Sequence, residues 1–420
     1  MRMHEPGPPN SMRLLFVAAG VRSFTVAMTA VLLGLYFAET GAGAETLGAV
    51  VGAGAAGSAL AMGAMAWRPT WFPGRVTLIA VALVSGAGLL VVSVVSGTAL
   101  LAVAAFLGMV NGVGRDRGPA QALEQSVLAD QTEAALRTAA FTRYALIQDI
   151  GGALGSLAVG LPVVLRSAWG ITPDAGYRWT LAGAAALMLL SAPLYVRVSG
   201  NVGAPARATE RASGRSLSPV SRRRIRGLAG LFALDSLGGG LLAGSIVSYW
   251  FFRRFGLGGE VLGPVFFAAR ALNAVSYPVA GFLATRIGLI RTMVFTHLPS
   301  SAVLVALPLV PAASWAVALF LLREALVQMD VPTRQSYVAA VTLPGERTHA
   351  MSVTGLVRNV GWALGPAAAG ITMRILGLGA PLVLGAVLKI AYDVALFGAY
   401  RRVRPPEEEP PSAAPQQRQR

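Results

Sequence analysis

The chain has no cysteine, so it can form no disulfide, no thiolate-bound metal site and no thiol nucleophile. Its three histidines, His4, His297 and His349, are too scattered to suggest a metal cluster. It also lacks a His-Glu-x-x-His pair, a Gly-x-Ser-x-Gly turn and a Gly-x-x-x-x-Gly-Lys-Ser/Thr loop. These absences argue against an intramembrane hydrolase and against ATP hydrolysis by the chain itself, so neither an enzyme nor a cofactor or metal is expected. Charge is scarce as well: 13% of the residues are charged and 55% hydrophobic, with a mean hydropathy of +0.61. A protein surrounded by water needs more polar surface than this. Nearly every basic residue is Arg rather than Lys, a bias associated with GC-rich bacterial genomes.

What the sequence does hold is apolar runs of about 20 residues, each enough to cross a hydrocarbon core of about 30 Å. Twelve can be drawn: 13-38, 46-67, 76-96, 99-122, 138-165, 178-198, 226-252, 261-284, 292-311, 314-340, 348-373 and 380-400. They are too long for barrel strands and rich in Gly and Ala, which predicts an all-α membrane protein with closely packed helices. The first run is too long for a cleaved signal peptide and is followed at once by others.

The chain also repeats itself. Gln125-Ser126, Arg137-Thr138 and Ala153-Leu154-Gly155 return 210 residues later as Gln335-Ser336, Arg347-Thr348 and Ala363-Leu364-Gly365. Two related six-helix bundles are therefore expected, residues 1-198 and 226-402, an arrangement suited to exposing a central site to alternate sides. Residues 199-225 read as a basic linker whose arginines sit on anionic headgroups, and 403-420 as a disordered tail. Arginines collect on the face that an even number of spans assigns to both termini, which the positive-inside rule places in the cytoplasm. The formal charge of +16 thus follows from orientation in the bacterial cytoplasmic membrane, and nucleic-acid binding is not expected.

Between spans eight and nine, Gly281, Arg286, Gly288 and Arg291 match a Gly-x-x-x-Asp-Arg-x-Gly-Arg loop, with Thr285 in place of the acid. The first-half counterpart keeps Gly63, Arg68 and Arg75, with Trp67 at the acidic position. With the repeat and the twelve spans, these loops make the chain resemble the major facilitator superfamily over essentially its whole length. Gly63 and Gly281 are expected to pack neighbouring helices tightly, and the arginines to hold carboxylates or helix C-termini at the cytoplasmic edge. Gly361 to Pro366 with Gly370, in span eleven, resembles a Gly-Pro signature that proton-driven exporters of the superfamily carry in span five. Here span five has Gly151, Gly152, Gly155 and Ser156 instead. Close helix packing with a kink is the preferred reading of both.

The resemblance implies that spans one, four, seven and ten line a central cavity. Ionisable residues inside a membrane are expensive and face a partner or water, and many fall on those spans. Arg22, Thr25, Thr29 and Tyr36 share a stripe of span one; Arg115, Asp116 and Arg117 lie in span four, Asp235 in span seven, and Arg323, Glu324, Asp330 and Arg334 in span ten. The expected substrate-facing set is Arg22, Thr25, Thr29, Tyr36, Arg115, Arg270, Asn273, Arg323 and Arg358. The expected proton-coupling candidates are Asp116, Asp149, Asp235, Glu324 and Asp330. Arg22 and Asp235 reach similar depths, about 13 to 15 Å from the cytoplasmic ends, where they could meet across the two halves. Asp330 with Arg334, and Lys389 with Asp393, have the i,i+4 spacing of pairs that neutralise each other.

The leading expectation is a rocker-switch transporter, monomeric as the resemblance implies, exporting small organic or amphipathic compounds in exchange for protons. The alternative is movement of an organic or phosphorylated anion, motivated by the arginines; a lipid flippase ranks behind both.

Overall fold

The computed structural model describes residues 9–68, 71–133, 136–198, 218–342 and 346–401. Each span read from the sequence falls on a helix or a pair of helices. Span one is Pro9–Glu39, two Ala44–Trp67, three Gly74–Val94, six Pro173–Val196, eight Gly259–Ile287, nine Leu289–Ala306, eleven Arg347–Leu376 and twelve Ala380–Tyr400. The other four are divided. Span four is Thr98–Gly108 and Pro119–Gln131, and span five is Arg137–Leu157 and Leu161–Trp169. Span seven is Pro219–Gly240 and Gly244–Phe255, and span ten is Ala313–Val327 and Asp330–Ala340. No strand occurs among the described residues. Nine helical stretches are long and apolar enough to cross a membrane; spans four, ten and eleven are not among them.

Span seven starts earlier than the sequence suggests. Ser218 caps it by accepting from the Ser221 amide at 3.3 Å, and Pro219 occupies the first turn, where its missing N–H costs nothing. The arginine run at 222–224 therefore forms the first turns of a helix, and the stretch read as linker ends at 217 rather than 225. Ser218 also donates its amide to the Glu346 carboxylate at 2.8 Å, tying this start to that of span eleven. Residues 199–217 and 402–420 lie outside the described residues.

The packing repeats as the sequence does. Span one lies on five as seven lies on eleven, three on six as nine on twelve, and two on four as eight on ten. The glycines of the Gly-Pro-like segments serve these contacts: Gly151 abuts Gly20, Gly155 the Phe24 carbonyl, and Gly365 the Gly240 backbone. Span eleven runs unbroken through Pro366. The loop glycines behave differently, since Gly63 and Gly281 face open space and close packing is not their role. Gly288, with φ +86°, is the one loop glycine whose conformation an L side chain would strain. Arg68 stacks on Trp67 and Trp71, and Arg286 on Phe282, in place of the carboxylates expected.

The halves meet near the end opposite the termini. Span one packs on the far part of seven, two on eleven and five on eight. Gly34 sits against the Ser245 carbonyl and the Ser248 hydroxyl, which donates to the Val31 carbonyl at 2.9 Å; Gly48 sits against the Pro366 carbonyl, and Gly259 against that of Val159. The breaks in spans four and seven interlock at the same place. Gly244 N–H donates to the Val113 carbonyl at 3.0 Å and Ser245 N–H to that of Gly112 at 3.2 Å. Backbone freed from one helix is thus satisfied by the other half, as membrane depth demands. A methyl group at Gly34 has no room while this closure holds, so Gly34→Ala should open the far end. Because the chain has no native thiol, the change can be read as faster labelling of a single Ala27→Cys reporter by a maleimide applied from the far side.

Candidate functional site

Two adjoining chambers lie between the halves and share Arg115, Arg117, Arg270, Gln328, Arg334 and Arg358 as common walls. The far chamber, about 960 Å³ including its open part, has an apolar side formed by Ala27, Ala30, Val31, Val247, Phe266 and Phe320, facing Asp235, His297, Glu324, Asp330 and Lys389. The chamber toward the terminal end, about 1500 Å³ including its mouth, is polar, with Gln121, Gln125, Gln148, Asp149, Gln335 and Thr354 on its walls.

The broken helix of span four places three charges here. Arg115, Asp116 and Arg117 lie not on a helix but in the irregular stretch 109–118. Asn111 shapes it: its side-chain oxygen accepts from the amides of Val113 and Gly114 at 2.9 and 3.2 Å, and its Nδ2 donates to the Arg115 carbonyl at 2.8 Å. Gly114, with φ +94°, makes the turn possible and offers its carbonyl to Arg270. Losing the Asn111 side chain removes the one acceptor of two hydrogen bonds and the donor of a third from this turn. Asn111→Ala should therefore cost about 1–3 kcal/mol of stability, read as a lower melting temperature in detergent.

Four arginines of the shared wall have no carboxylate within ion-pair distance among the described residues. Arg115 reaches only the Tyr277 hydroxyl, at 3.5 Å; Arg117 lies over the Trp362 ring at 4.7 Å; Arg270 donates to Gly114; Arg358 has no ion pair. Asp149 is a chamber carboxylate without an ion pair. Arg323 instead pairs with its neighbour Glu324, which also accepts from Asn273 Nδ2 at 3.0 Å. Gln148 Nε2, Asn273 Oδ1, Gln328 Oε1, Arg323 Nε and Trp362 Nε1 are buried without a hydrogen-bond partner, and all five residues line the chambers. Buried polar atoms left over in this way mark a place where a ligand or water completes the bonding.

The span-one stripe does not face this cavity. Arg22, 5% exposed, is held inside the first half by Asp116 and by a two-pronged contact with Glu124, one prong at 2.8 Å. Tyr144 and Tyr195 both donate to the same Glu124 carboxylate, Tyr144 at 2.7 Å. Thr25 and Thr29 line a smaller pocket beside this cluster, and Tyr36 stacks near Arg178 and Tyr177 at the far end. Span one gives the cavity only small side chains, Ser23, Ala27, Ala30 and Val31. Arg22 and Asp235 therefore do not meet: the first bundle satisfies Arg22 locally, and the second satisfies Asp235.

In the second half, Arg334 pairs with Asp330 as its spacing suggests and also approaches Asp235 at 3.4 Å. Lys389 and Asp393 do not neutralise each other. The Lys389 ammonium donates to Asp235 at 2.7 Å, while Asp393 binds His297 Nδ1 at 2.9 Å. Residues 210 apart show how the halves diverged. Arg22 and Glu124 correspond to Phe232 and Arg334, so the span-one to span-four ion pair of the first half becomes an arginine over a phenyl ring, at 5.7 Å, in the second. Glu124 escaped the sequence reading because it lies just past the drawn end of span four; its register with Arg334 was the available signal. His297 was set aside because it was weighed only as a metal ligand.

No protein-family profile matches the chain. The uncharacterized membrane protein YJR124C of Saccharomyces cerevisiae is 23% identical over 396 residues, covering 86% of this chain and 87% of that one. Among solved structures, a bacterial homolog of the human lysosomal transporter Spinster, in an inward-facing and occupied conformation, superposes with a TM-score of 0.73. It is 15% identical and covers 95% of this chain and 98% of its own. The nucleoside transporter NupG gives 0.70 at 12% identity, with 93% and 98% covered. A peptide transporter of the POT type in complex with sulfate also gives 0.70, at 15% identity with 96% of both chains covered. With twelve spans, a packing pattern repeated between two halves and a cavity between them, this chain has the fold of the major facilitator superfamily.

Proposed function

We propose that the chain is a secondary transporter that moves an amphipathic organic anion through the central cavity by alternating access. The carrying observation is the set of four wall arginines without carboxylate partners, beside a chamber lined by aliphatic and phenyl side chains. Guanidinium groups bind carboxylate or phosphate through paired N–H donors, and the adjoining chamber accepts an apolar or aromatic portion. An exporter of cations would need free acids here; Asp116, Asp235, Glu324 and Asp330 are each held by a cation, which leaves Asp149 as one free carboxylate against four free arginines among the described residues. Between the two substrate readings of the sequence, this favours the anion. The excess of arginine at the end toward which the polar chamber lies supports a cytoplasmic orientation of that end.

The test is counterflow in proteoliposomes without any ion gradient, using aryl carboxylates and aryl phosphates against size-matched neutral and cationic compounds. Exchange of the anions is expected. Exchange of the cations with none of the anions overturns the reading.

A further inference from the structure

Behind the arginine wall the second half contains a continuous buried chain of ionisable groups drawn from four spans. It runs from Asp393 of span twelve to His297 of span nine, then to Lys389 of span twelve, Asp235 of span seven, and Arg334 and Asp330 of span ten. His297 is 1% exposed and Asp393 0%. Lys389 is the chain's only lysine. Arg358 of span eleven faces the cluster from the cavity side, and Tyr392 lies edge-on to the His297 ring, with centroids 6.0 Å apart.

Two facts single out the imidazole. Three carboxylates, Asp235, Asp330 and Asp393, face Lys389 and Arg334 within the cluster and Arg358 from the cavity side, so a proton on His297 adds a charge that a substrate anion can balance. Buried charge is tolerated when it is balanced. In addition, the two ring nitrogens are committed differently. Nδ1 lies 2.9 and 3.0 Å from the two Asp393 oxygens, which hold it as a donor, so Nε2 is the nitrogen that gains or loses the proton. Nε2 now faces the Lys389 ammonium at 3.4 Å, with Asp235 Oδ1 at 3.9 Å. That is the arrangement of a neutral ring, whose lone pair accepts from the ammonium. His297 also borders the far chamber, which gives a proton a route to it.

We infer that His297 is the proton-binding site of the transport cycle and that it acts by exchanging partners with Lys389. A proton from the chamber binds Nε2, the new N–H turns to Asp235, and the Lys389 ammonium withdraws because two donors cannot share the position. The cluster then carries one more positive charge next to Arg334 and Arg358 on the shared wall, which favours the substrate anion there. Proton and anion thereby favour each other's binding, which is the linkage that drives them across together. The inference rests on the anion reading above and extends it to residues outside the arginine wall.

Its test separates the two. In proteoliposomes with a pH dye inside, the wild-type protein should accumulate the anion down an imposed proton gradient with matching proton entry. His297→Gln should keep gradient-free counterflow while losing accumulation and proton entry at least tenfold. Undiminished accumulation and proton entry in His297→Gln overturn the inference, as does a wild-type protein that catalyses counterflow yet neither accumulates the anion nor admits protons under the imposed gradient. If the wild-type protein exchanges no anion, the transport reading fails, and the proton site is decided by NMR of the full 15N-histidine-labelled protein. A resonance that is lost in His297→Gln should show a ring protonated at Nδ1 with an unprotonated Nε2, and its Nε2 shift should move in Lys389→Met. A ring protonated at Nε2 alone, or an Nε2 shift unmoved in Lys389→Met, overturns the inference.

Discussion

Arg358→Gln should raise the anion concentration needed for half-maximal counterflow by about 10- to 100-fold while leaving the amount and melting temperature of folded protein unchanged. The magnitude is that of hydrogen bonds to a charged group, about 1.5–3 kcal/mol, converted to affinity. The absence of a folding cost follows from the geometry. Arg358 has no ion pair among the described residues, so removing its charge leaves no carboxylate buried alone. Arg358→Lys should recover only part of the loss, because an ammonium keeps the charge without the planar pair of donors. Equal half-saturation in the wild-type and Gln proteins would remove Arg358 from the binding wall.

Glu124→Ala should do the reverse, with a loss of folded protein that no change of substrate conditions rescues. Glu124 is fully buried and accepts from Arg22, Tyr144 and Tyr195 at once. Deleting it leaves the Arg22 guanidinium with Asp116 alone and strands two phenols inside the first half. Breaking one partner out of a buried pair costs about 3–5 kcal/mol, a large part of the stability of a folded domain. The measurement is the monodisperse fraction and melting temperature in detergent. Arg22→Met and Asp116→Asn combined with Glu124→Met should regain part of the loss, since no charge of the cluster is then left without its partner. A Glu124→Ala protein as stable as wild type would show that the cluster does not hold the first bundle together.

These two outcomes divide the arginines in a way the sequence only half discloses. Periodicity, length and the 210-residue repeat are local properties, and they place all twelve spans, their order and their pairing into halves. Intramembrane charge brings attention to Arg115, Arg270 and Arg358, which line the cavity wall. It cannot say which cation is already satisfied, because Glu124 lies 102 positions from Arg22, and Lys389 154 from Asp235. Such partners are chosen by the packing of separate spans. The breaks at 109–118 and 241–243 are equally hidden, since the second is tolerable only because its freed Gly244 and Ser245 amides reach carbonyls of the first, 130 or more positions away in the chain. Gly114 and Asn111 were the residues that could have announced the first break.

The unequal treatment of positions 210 apart bears on how such a molecule can arise. Where one copy keeps the Arg22 and Glu124 pair, the other has Phe232 and Arg334, and the ionisable chain around His297 exists in that copy alone. Two identical first halves would hold the Arg22 and Glu124 pair twice over in the same closed arrangement, with no counterpart of the His297 chain on either side. The first half thus has the character of a scaffold, and the second carries the ionisable chain. A fusion of two first halves should therefore assemble and insert, yet catalyse no net movement.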